Sequence, residues 1–495
     1  MASSTENDSE HGSKDKAPYT VQIERSENLH ELFDPDEGRT DQERAAIDRK
    51  LMRKVDIYLI PWLSLANIGN ARLAGMENDL SMTGRGYNNS LTIFFVSYAI
   101  AEAITNVILK RCTPRLFFMA ITILWGSITV CAGTVTNYSG LLACRFFLGL
   151  AEAGLYPGVS YYLSCWYRRD ELGIRAAVFF SAAALAGSFG GLLAAAIAQM
   201  DGIGGKSGWA WIFIIEGLAT VVVGIACYWM IYDWPDNARF LTPEDRLRLR
   251  RRLAADKQPS TAEEYDKRHI FAAFRDWKTW VYGIIYIGSI IPLYAFSLFL
   301  PTILRGMGYH STQAQLLSVP PYACAAVATI SIGWLADRTR CRGYCNIAVT
   351  LLGIAGFLLL VSSPSPKTQY AGTFLAAIGI YPAISNVNTW VANNVEGLYK
   401  RGVSMGVVIG CGNLSGIVSS NIYLTNESPR FWTGHGVVLG SLFFGAFCGS
   451  ILMVTLLKRE NARRLSGKRD NMHEGKSADE IWIAGDKRPD FIYTI

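Results

Sequence analysis

The sequence predicts an all-α membrane protein with twelve transmembrane helices arranged as two halves of six. Half of the 495 residues are hydrophobic and only 18% are charged, against roughly 25% charged residues in a typical soluble protein. The charges crowd the first 54 residues, the stretch 233–278 and the last 38 residues, which leaves long uncharged runs between them. This distribution excludes a disordered chain, a collagen-like chain and a nucleic-acid-binding protein.

Eleven segments are apolar over the length of about 20 residues that a helix needs to cross a bilayer. With a shorter first segment they form spans 1 to 12, and these names are kept below. Spans 2 to 12 cover residues 90–109, 116–136, 139–162, 174–198, 209–232, 279–303, 314–335, 344–362, 370–392, 403–424 and 434–457.

Span 1 is the exception, because its apolar run Val55–Ala66 has only 12 residues. At about 1.5 Å per residue such a helix covers roughly 18 Å, short of a hydrocarbon core of about 30 Å. The basic residues nevertheless indicate that it crosses. With both termini cytoplasmic, 40 Lys and Arg fall on the inner side and 6 on the outer side, which is a strong positive-inside bias.

The predicted domain organisation follows from these spans. It comprises a cytoplasmic N-terminal tail (1–54), an N-terminal half (55–232), a cytoplasmic linker (233–278), a C-terminal half (279–457) and a cytoplasmic C-terminal tail (458–495).

Two charged loops at matching positions of the halves indicate an internal repeat. One joins spans 2 and 3 and the other joins spans 8 and 9, and both carry basic residues at the same spacing. Paired halves of this kind are typical of transporters that bind substrate near the membrane midplane. Such loops can pin helix ends together in one state and release them in another, or simply anchor the helices. The candidate gating residues are Lys110, Arg111, Arg115, Asp337, Arg338 and Arg342.

Several strings resemble the major facilitator superfamily over residues 48–460, and more narrowly the fungal allantoate, nicotinate and pantothenate permeases of the anion:cation symporter family. They include RFFLGLAEAGLYPGVSYYLSCWY in span 4, DWPDNARFLTPED after span 6 and GNLSGIVSSNIY in span 11. The resemblance implies twelve helices around a central cavity, alternating access, and proton-driven uptake of a small organic anion.

Span 4 carries an acid and a base on one helical face, with Arg145, Gly149, Glu152 and Tyr156 spaced by four, three and four residues. We expect Gly149 to clear space between the two charged residues. Charges inside a bilayer are costly and usually functional. We expect Arg145 to bind a substrate carboxylate, because its planar guanidinium suits bidentate recognition. We expect Glu152 to carry the proton, and the resembled family uses these two positions in this way. The alternative is an internal ion pair that only holds the helix in place.

Other polar residues in the spans complete the candidate site. Glu102 is either a second proton site or a structural partner of Asn106, whereas Glu216 is expected to hydrogen-bond a neighbouring helix. The remaining candidates for substrate contact are the amides Asn388 and Asn413 and the rings of Tyr98 and Trp390, although aromatic rings are also common at membrane interfaces.

Span 1 departs from the resembled family. In those permeases an apolar turn or two and an Asp-Arg pair precede the string NIGNAR, whereas here Leu65-Ala66 leads directly into Asn67. The pair that the family uses for coupling and anion binding therefore has no counterpart. This departure implies weak or absent transport. The simplest cause of the missing segment is a mis-spliced gene model rather than an evolved change.

The leading hypothesis is a proton-coupled importer of a carboxylate, vitamin or ureide in the plasma membrane. The alternatives are a non-transporting nutrient sensor on the same fold and a transport-impaired product of the shortened first helix. No enzyme motif, metal-ligand cluster or disulfide framework is present in the sequence. We therefore expect no enzymatic activity, no metal and no cofactor, with the proton gradient as driving force. The expected partners are a small organic anion, protons and the lipid bilayer; the oligomeric state stays open.

Overall fold

A computed structural model of the chain describes residues 40–65, 76–80, 82, 86–197, 200–255, 267–309, 311–396, 398–423, 427, 430–469, 485–488 and 491–495. These residues form helices joined by short turns. The helices of spans 1 to 6 are Asp41–Leu65, Gly86–Arg111, Pro114–Ala132, the pair Tyr138–Glu152 and Leu155–Ser164, Arg169–Ile197, and Gly208–Met230. The linker contributes Pro243–Ala255 and Lys267–Arg275. Spans 7 to 12 are Trp277–Gly306, Ser311–Thr339, Arg342–Ser362, Pro366–Asn394, the pair Leu398–Leu414 and Gly416–Asn421, and the run from Trp432 to Leu465.

Seven helices within the described residues are long and apolar enough to cross a membrane. They belong to spans 3, 6, 7, 8, 9, 11 and 12. The prediction of an all-helical membrane protein is therefore confirmed, while the count of twelve crossings stays a prediction.

Three spans depart from a single regular α-helix. Span 4 is interrupted at Ala153-Gly154, directly after Glu152, and span 11 is interrupted at Ser415. Span 12 contains a π-helical stretch, Ser441–Cys448. A break in the backbone ladder at these points alters the direction of the side chains on either side of it.

The helix of span 1 begins at Asp41, within the stretch predicted as the N-terminal tail, and is described as far as Leu65. The basic and acidic residues of its first turns lie in the same helix as the apolar run. The predicted junction between Leu65-Ala66 and Asn67 lies outside the described residues.

Glycines bring helices together within each half. A Cβ atom on Gly126 of span 3 would lie 2.8 Å from the backbone nitrogen of Val221 in span 6. A Cβ on Gly445 of span 12 would lie 2.8 Å from the Cα of Gly288 in span 7. Small residues permit this close backbone approach, which supplies packing energy where lipid provides no hydrophobic driving force.

The two halves meet through spans 5 and 8 and through spans 2 and 11. Gly333 of span 8 packs on Ala177 of span 5, and Gly416 of span 11 packs on the ring of Phe95 in span 2. Asn421, at the end of span 11, donates a hydrogen bond of 3.0 Å to Thr92, near the start of span 2. These four helices form part of the interface, and they also carry polar side chains.

Candidate functional site

A hydrogen-bonded chain of three side chains crosses the interface between the halves. The Oη of Tyr294 in span 7 donates to Oδ1 of Asn413 in span 11 at 2.8 Å. The amide nitrogen of Asn413 donates to Oε2 of Glu102 in span 2 at 2.9 Å. Glu102 and Asn413 are both buried, and the second carboxyl oxygen of Glu102 has no hydrogen-bond partner among the described residues. Glu102 is therefore a half-satisfied buried acid held by the opposite half.

The side chain of Asn106 lies outside the described part of the chain, so its predicted pairing with Glu102 is neither found nor excluded. Asn413 takes the role of partner instead. The sequence singled out both Glu102 and Asn413, but in separate roles.

A second polar contact joins span 4 to span 10. The amide nitrogen of Asn388 donates a hydrogen bond to the hydroxyl of Tyr156. The ring of Tyr156 packs against Phe179 and Phe180 of span 5, with centroids 6.4 Å and 5.9 Å away. Like the hydrogen bonds through Asn413, this contact links the N-terminal half to the C-terminal half.

Tyr98 lies on span 2, one turn before Glu102, and its side chain is buried beside Phe94 with ring centroids 5.8 Å apart. The fields of both Glu102 and Glu152 reach the hydroxyls of Tyr98 and Tyr294. The structure therefore brings Tyr98, Glu102, Glu152 and Asn413 into one neighbourhood.

Arg145 and Glu152 both lie in the first part of span 4, which is the helix Tyr138–Glu152. They form no ion pair with each other within 4 Å, and the Nε of Arg145 has no hydrogen-bond partner among the described residues. The guanidinium carbon of Arg145 lies 5.8 Å from the ring centroid of Phe213 in span 6. Each of the two charges still attracts the other, so the alternative role as an internal pair that holds the helix in place stays open.

Gly149 clears space in a different place from the one expected. A Cβ atom there would overlap Ser97 Oγ and the carbonyl of Phe94 in span 2. The glycine therefore permits span 4 to approach span 2, rather than opening room between Arg145 and Glu152.

Two residues lie apart from this neighbourhood. Trp390 is fully buried in the C-terminal half, packs edge-on against Tyr282 at 5.3 Å and donates its indole N–H to the carbonyl of Thr494 at 2.8 Å. Glu216 is buried in span 6, yet neither carboxyl oxygen has a hydrogen-bond partner among the described residues. Within that part of the chain, the expected hydrogen bond from Glu216 to a neighbouring helix is not present.

The loop between spans 8 and 9 contacts the start of span 5. Asp337 accepts a hydrogen bond from the backbone nitrogen of Ile174 at 2.6 Å and forms an ion pair with Arg342. Arg342 is buried and also donates to Oδ1 of Asn386 at 3.3 Å. The loop of the C-terminal half is therefore bound to a helix end of the N-terminal half.

The matching loop of the N-terminal half is built differently. Arg115 lies over the ring of Tyr228 at 5.1 Å, within its own half. Arg338 is exposed and lies over Trp334 at 5.2 Å. The side chains of Lys110 and Arg111 lie outside the described part of the chain. The predicted equivalence of Arg115 and Arg342 thus holds in sequence position but not in partners.

The sequence alone did not predict a network of ion pairs that joins span 1, span 5 and the linker helix Pro243–Ala255. Arg175 of span 5 binds both carboxyl oxygens of Asp56 in span 1, at 2.7 Å and 2.9 Å. Arg252 of the linker helix Pro243–Ala255 pairs with Asp48 and Glu171. The linker is therefore docked by specific contacts, which its charge run alone did not reveal.

The sequence alone also did not predict that the C-terminal segment, residues 485–488 and 491–495, docks on the C-terminal half. Asp486 is fully buried and pairs with Lys278 and with Lys400, the latter at 2.7 Å. Burial favours the protonated acid, but these two ammonium groups hold the pKa of Asp486 below its ordinary value. The aromatic ending FIYTI was the available signal for this docking.

Backbone bonds reinforce that docking. Asn461 of span 12 exchanges two hydrogen bonds of 2.9 Å with the backbone of Tyr493, and Asn394 of span 10 exchanges two of 2.8 Å with that of Thr494. Arg488 binds Glu396 through two bonds of 3.1 Å and 3.0 Å. The segment thus joins the starts of spans 7 and 11 to the ends of spans 10 and 12.

The chain is similar to known transporters over most of its length. It is 32% identical to the MFS-type transporter cnsO of Penicillium expansum, covering 90% of each chain. It is 35% identical to the MFS transporter prlL of a fungal species, covering 79% of this chain and 81% of that one. With the high-affinity nicotinic acid transporter of Saccharomyces cerevisiae it shares 28% identity over 90% of this chain and 85% of that one.

Solved structures support the same fold. The inward-facing, unoccupied structure of a bacterial homologue of the human lysosomal transporter Spinster matches with a TM-score of 0.56 and 15% identity. The match covers 84% of this chain and 95% of that one. Residues 57–420 match the pattern of the Major Facilitator Superfamily itself. The protein therefore belongs to the Major Facilitator Superfamily, a family of multi-pass membrane transporters and not of enzymes.

Proposed function

We propose that this transporter carries a small organic anion across the plasma membrane together with protons, by alternating access. The observation that carries the proposal is the placement of two acids, Glu102 and Glu152, beside polar contacts that join the two halves. An acid whose surroundings change when the halves separate binds and releases its proton in step with that movement.

Glu102 and Glu152 have different attachments. Glu102 is bound by Asn413 of the opposite half, so separation of spans 2 and 11 removes its only hydrogen bond among the described residues. Glu152 ends a helix at a break and has no ion-pair partner within 4 Å in the described part of the chain. We assign proton transport to Glu152. Glu102 is the acid whose hydrogen bonding changes when the interface between the halves opens.

Arg145 is the proposed anion-binding group. It is half-buried and contacts an aromatic ring, and its Nε is unsatisfied in the described residues, so it has donors to offer a carboxylate. Tyr98, Asn388 and Asn413 supply further hydrogen-bonding groups near the interface. Trp390 is left out of the proposed site, because its ring is fully buried and its N–H is bound by the C-terminal segment.

The nicotinic acid transporter among the relatives supports an aromatic or vitamin-type carboxylate. It is 28% identical, and so supports the chemical class of substrate more than the individual compound. Asp337 and Arg342 would then act at the cytoplasmic gate, where the hydrogen bond from Ile174 to Asp337 must break for the halves to separate.

The test is uptake of a panel of labelled carboxylates by the full chain in a host that lacks its own carriers. We expect accumulation of one class of carboxylate, driven by an inward proton gradient and abolished by a protonophore. A matched panel of uncharged analogues, such as the corresponding amides, is the control and should not accumulate.

The sensor hypothesis makes a different prediction in the same assay. Saturable binding without net uptake or exchange would favour a sensor and contradict the transport proposal. Uptake of the amides at the same rate as the acids would refute the proposed role of Arg145 in binding the anion.

A further inference from the structure

We propose that the cleft between the cytoplasmic ends of spans 7 and 12 and the docked C-terminal segment binds the phosphate-bearing headgroup of an acidic phospholipid. The cleft has a volume of about 490 Å³, within the range of about 300–1,000 Å³ typical of small-ligand sites. It lies away from the proposed substrate site and does not depend on the transported compound.

The charge of the cleft favours an anion. Its lining contains seven Lys and Arg and three Asp and Glu. The three acids are already engaged by neighbouring cations: Asp276 and Asp486 by lysines, and Glu460 by Arg469 at 2.8 Å. The lining therefore carries an excess of positive charge.

Three of the cations are available for a ligand. The side chains of Arg275, Arg459 and Lys487 are exposed, and none forms an ion pair or side-chain hydrogen bond within the part of the chain that the structure describes. They come from the linker helix Lys267–Arg275, from span 12 and from the C-terminal segment, so the site exists only with that segment docked. Arginine suits phosphate because its planar donors bind two oxygens at once.

The position and the neighbouring aromatic side chains favour a lipid over a soluble anion. Phe271, Phe274, Trp277 and Trp280 are all exposed and recur every three residues beside the cleft. The indole of Trp280 donates to the carbonyl of Phe274 at 2.8 Å, which fixes the linker helix to the start of span 7. Aromatic residues of this kind mark the boundary between lipid and water.

An apolar surface for the acyl chains continues from that boundary. Ile284 of span 7 and Leu452 of span 12 are 53% and 50% exposed, which in a membrane means contact with lipid. Basic pockets between helices on the cytoplasmic side are where anionic headgroups bind in other membrane proteins. Here the same cleft offers available cations, an aromatic boundary and an apolar continuation.

The test compares spin-labelled phosphatidylserine with spin-labelled phosphatidylcholine on the full chain in phosphatidylcholine vesicles. We expect the wild-type protein to immobilise phosphatidylserine selectively. The triple variant Arg275→Gln, Arg459→Gln, Lys487→Gln should lose that selectivity, by about fivefold in relative affinity per cation removed.

The matched control is the triple variant Lys50→Gln, Arg239→Gln, Arg340→Gln, which removes the same charge from exposed cytoplasmic positions outside the cleft. It should retain most of the selectivity. Equal losses in both variants would indicate general membrane electrostatics and overturn the proposal, as would unchanged selectivity in the first variant.

Soluble competitors distinguish the source of the anion. Neither inorganic phosphate nor glycerophosphoserine at millimolar concentration should displace the lipid, because neither has acyl chains. Displacement by either one would identify a soluble-anion site instead. Equal thermal unfolding midpoints of all variants in pure phosphatidylcholine would show that lost selectivity does not reflect unfolding.

Discussion

Asn413 donates a hydrogen bond of 2.9 Å to Glu102 across the interface between the two halves, although the residues are 311 positions apart in the chain. The bond can persist only while spans 2 and 11 stay in contact at that depth. Any movement that separates the halves there must break it, and the carboxyl group of Glu102 then loses its donor. Substitutions at Glu102 and Glu152 therefore distinguish a role in proton coupling from a role in helix packing.

Glu152→Gln is expected to abolish accumulation driven by a proton gradient while preserving exchange of labelled for unlabelled substrate. The amide keeps the shape of the side chain but carries no titratable proton. Both activities would be measured in parallel in vesicles. If the variant still accumulates substrate against a gradient, another acid carries the proton, and Glu102→Gln is the next variant to measure.

Arg145→Lys is expected to abolish carboxylate uptake without affecting insertion into the membrane. Lysine keeps the positive charge but loses the planar set of donors. Uptake would be compared at equal surface expression, with Arg115→Lys as the control because Arg115 contacts only a ring of its own half in the described structure. Normal uptake by Arg145→Lys would refute the assigned role.

Asp337→Asn is expected to weaken closure on the cytoplasmic side. The change removes the ion pair with buried Arg342 and weakens the bond to Ile174. Loss of one partner of a buried pair typically costs about 3–5 kcal/mol. Double electron-electron resonance between a spin label on Cys112 and a second on a cysteine replacing Tyr344 should show a shift to longer distances between the two labels. Arg338→Gln, in the same loop but exposed, should leave the distances unchanged.

Asp486→Asn is expected to release the C-terminal segment and to lower the thermal unfolding midpoint. It leaves Lys278 and Lys400 buried with Asp276 as the remaining acid of the cluster, a loss of about 3–5 kcal/mol for a buried pair. The substitution Asp236→Asn, at a partly exposed ion pair, is the control and should cost less than about 1 kcal/mol. Equal effects would mean that the segment adds no stability.

The same residue gives a pH dependence of known sign. The pKa of Asp486 in the folded protein is held below its ordinary value of 3.8. Its stabilising contribution is therefore complete above that ordinary value and is lost as the pH falls through the lower folded-state pKa. Unfolding midpoints of the wild type should drop as the pH falls below the ordinary value of 3.8, and the difference between wild type and Asp486→Asn should shrink over the same range.

The short first span makes a separate prediction. Transport by this chain should be weak, because its apolar run Val55–Ala66 is 12 residues long and the acidic-basic pair implied by the family resemblance has no counterpart. Inserting about 8–10 residues that contain an apolar turn and an Asp-Arg pair after Leu65 should raise the uptake rate. Sequencing the transcript would show whether such a segment belongs to the natural protein. Robust coupled uptake by the unaltered chain would contradict the argument.

Hydropathy and motifs were enough to predict the class of protein and the residues worth testing. A charge is costly in a hydrocarbon core, so Glu102, Arg145, Glu152 and Glu216 stand out simply because they interrupt apolar runs. The helical membrane fold and the superfamily were predictable as well, because hydropathy and motif spacing are local properties of the chain.

The partners of those residues were decided only by the tertiary structure. An asparagine amide can pair with any of several polar groups, and nothing within span 2 or span 11 indicates that Asn413 meets Glu102. Helix periodicity also does not show that Glu216 lacks a hydrogen bond within the described residues. Nor does it show that the indole N–H of Trp390 donates to the carbonyl of Thr494, 104 residues further along the chain. Such contacts depend on how helices distant in sequence pack against one another, and hydropathy along one segment carries no information about that packing.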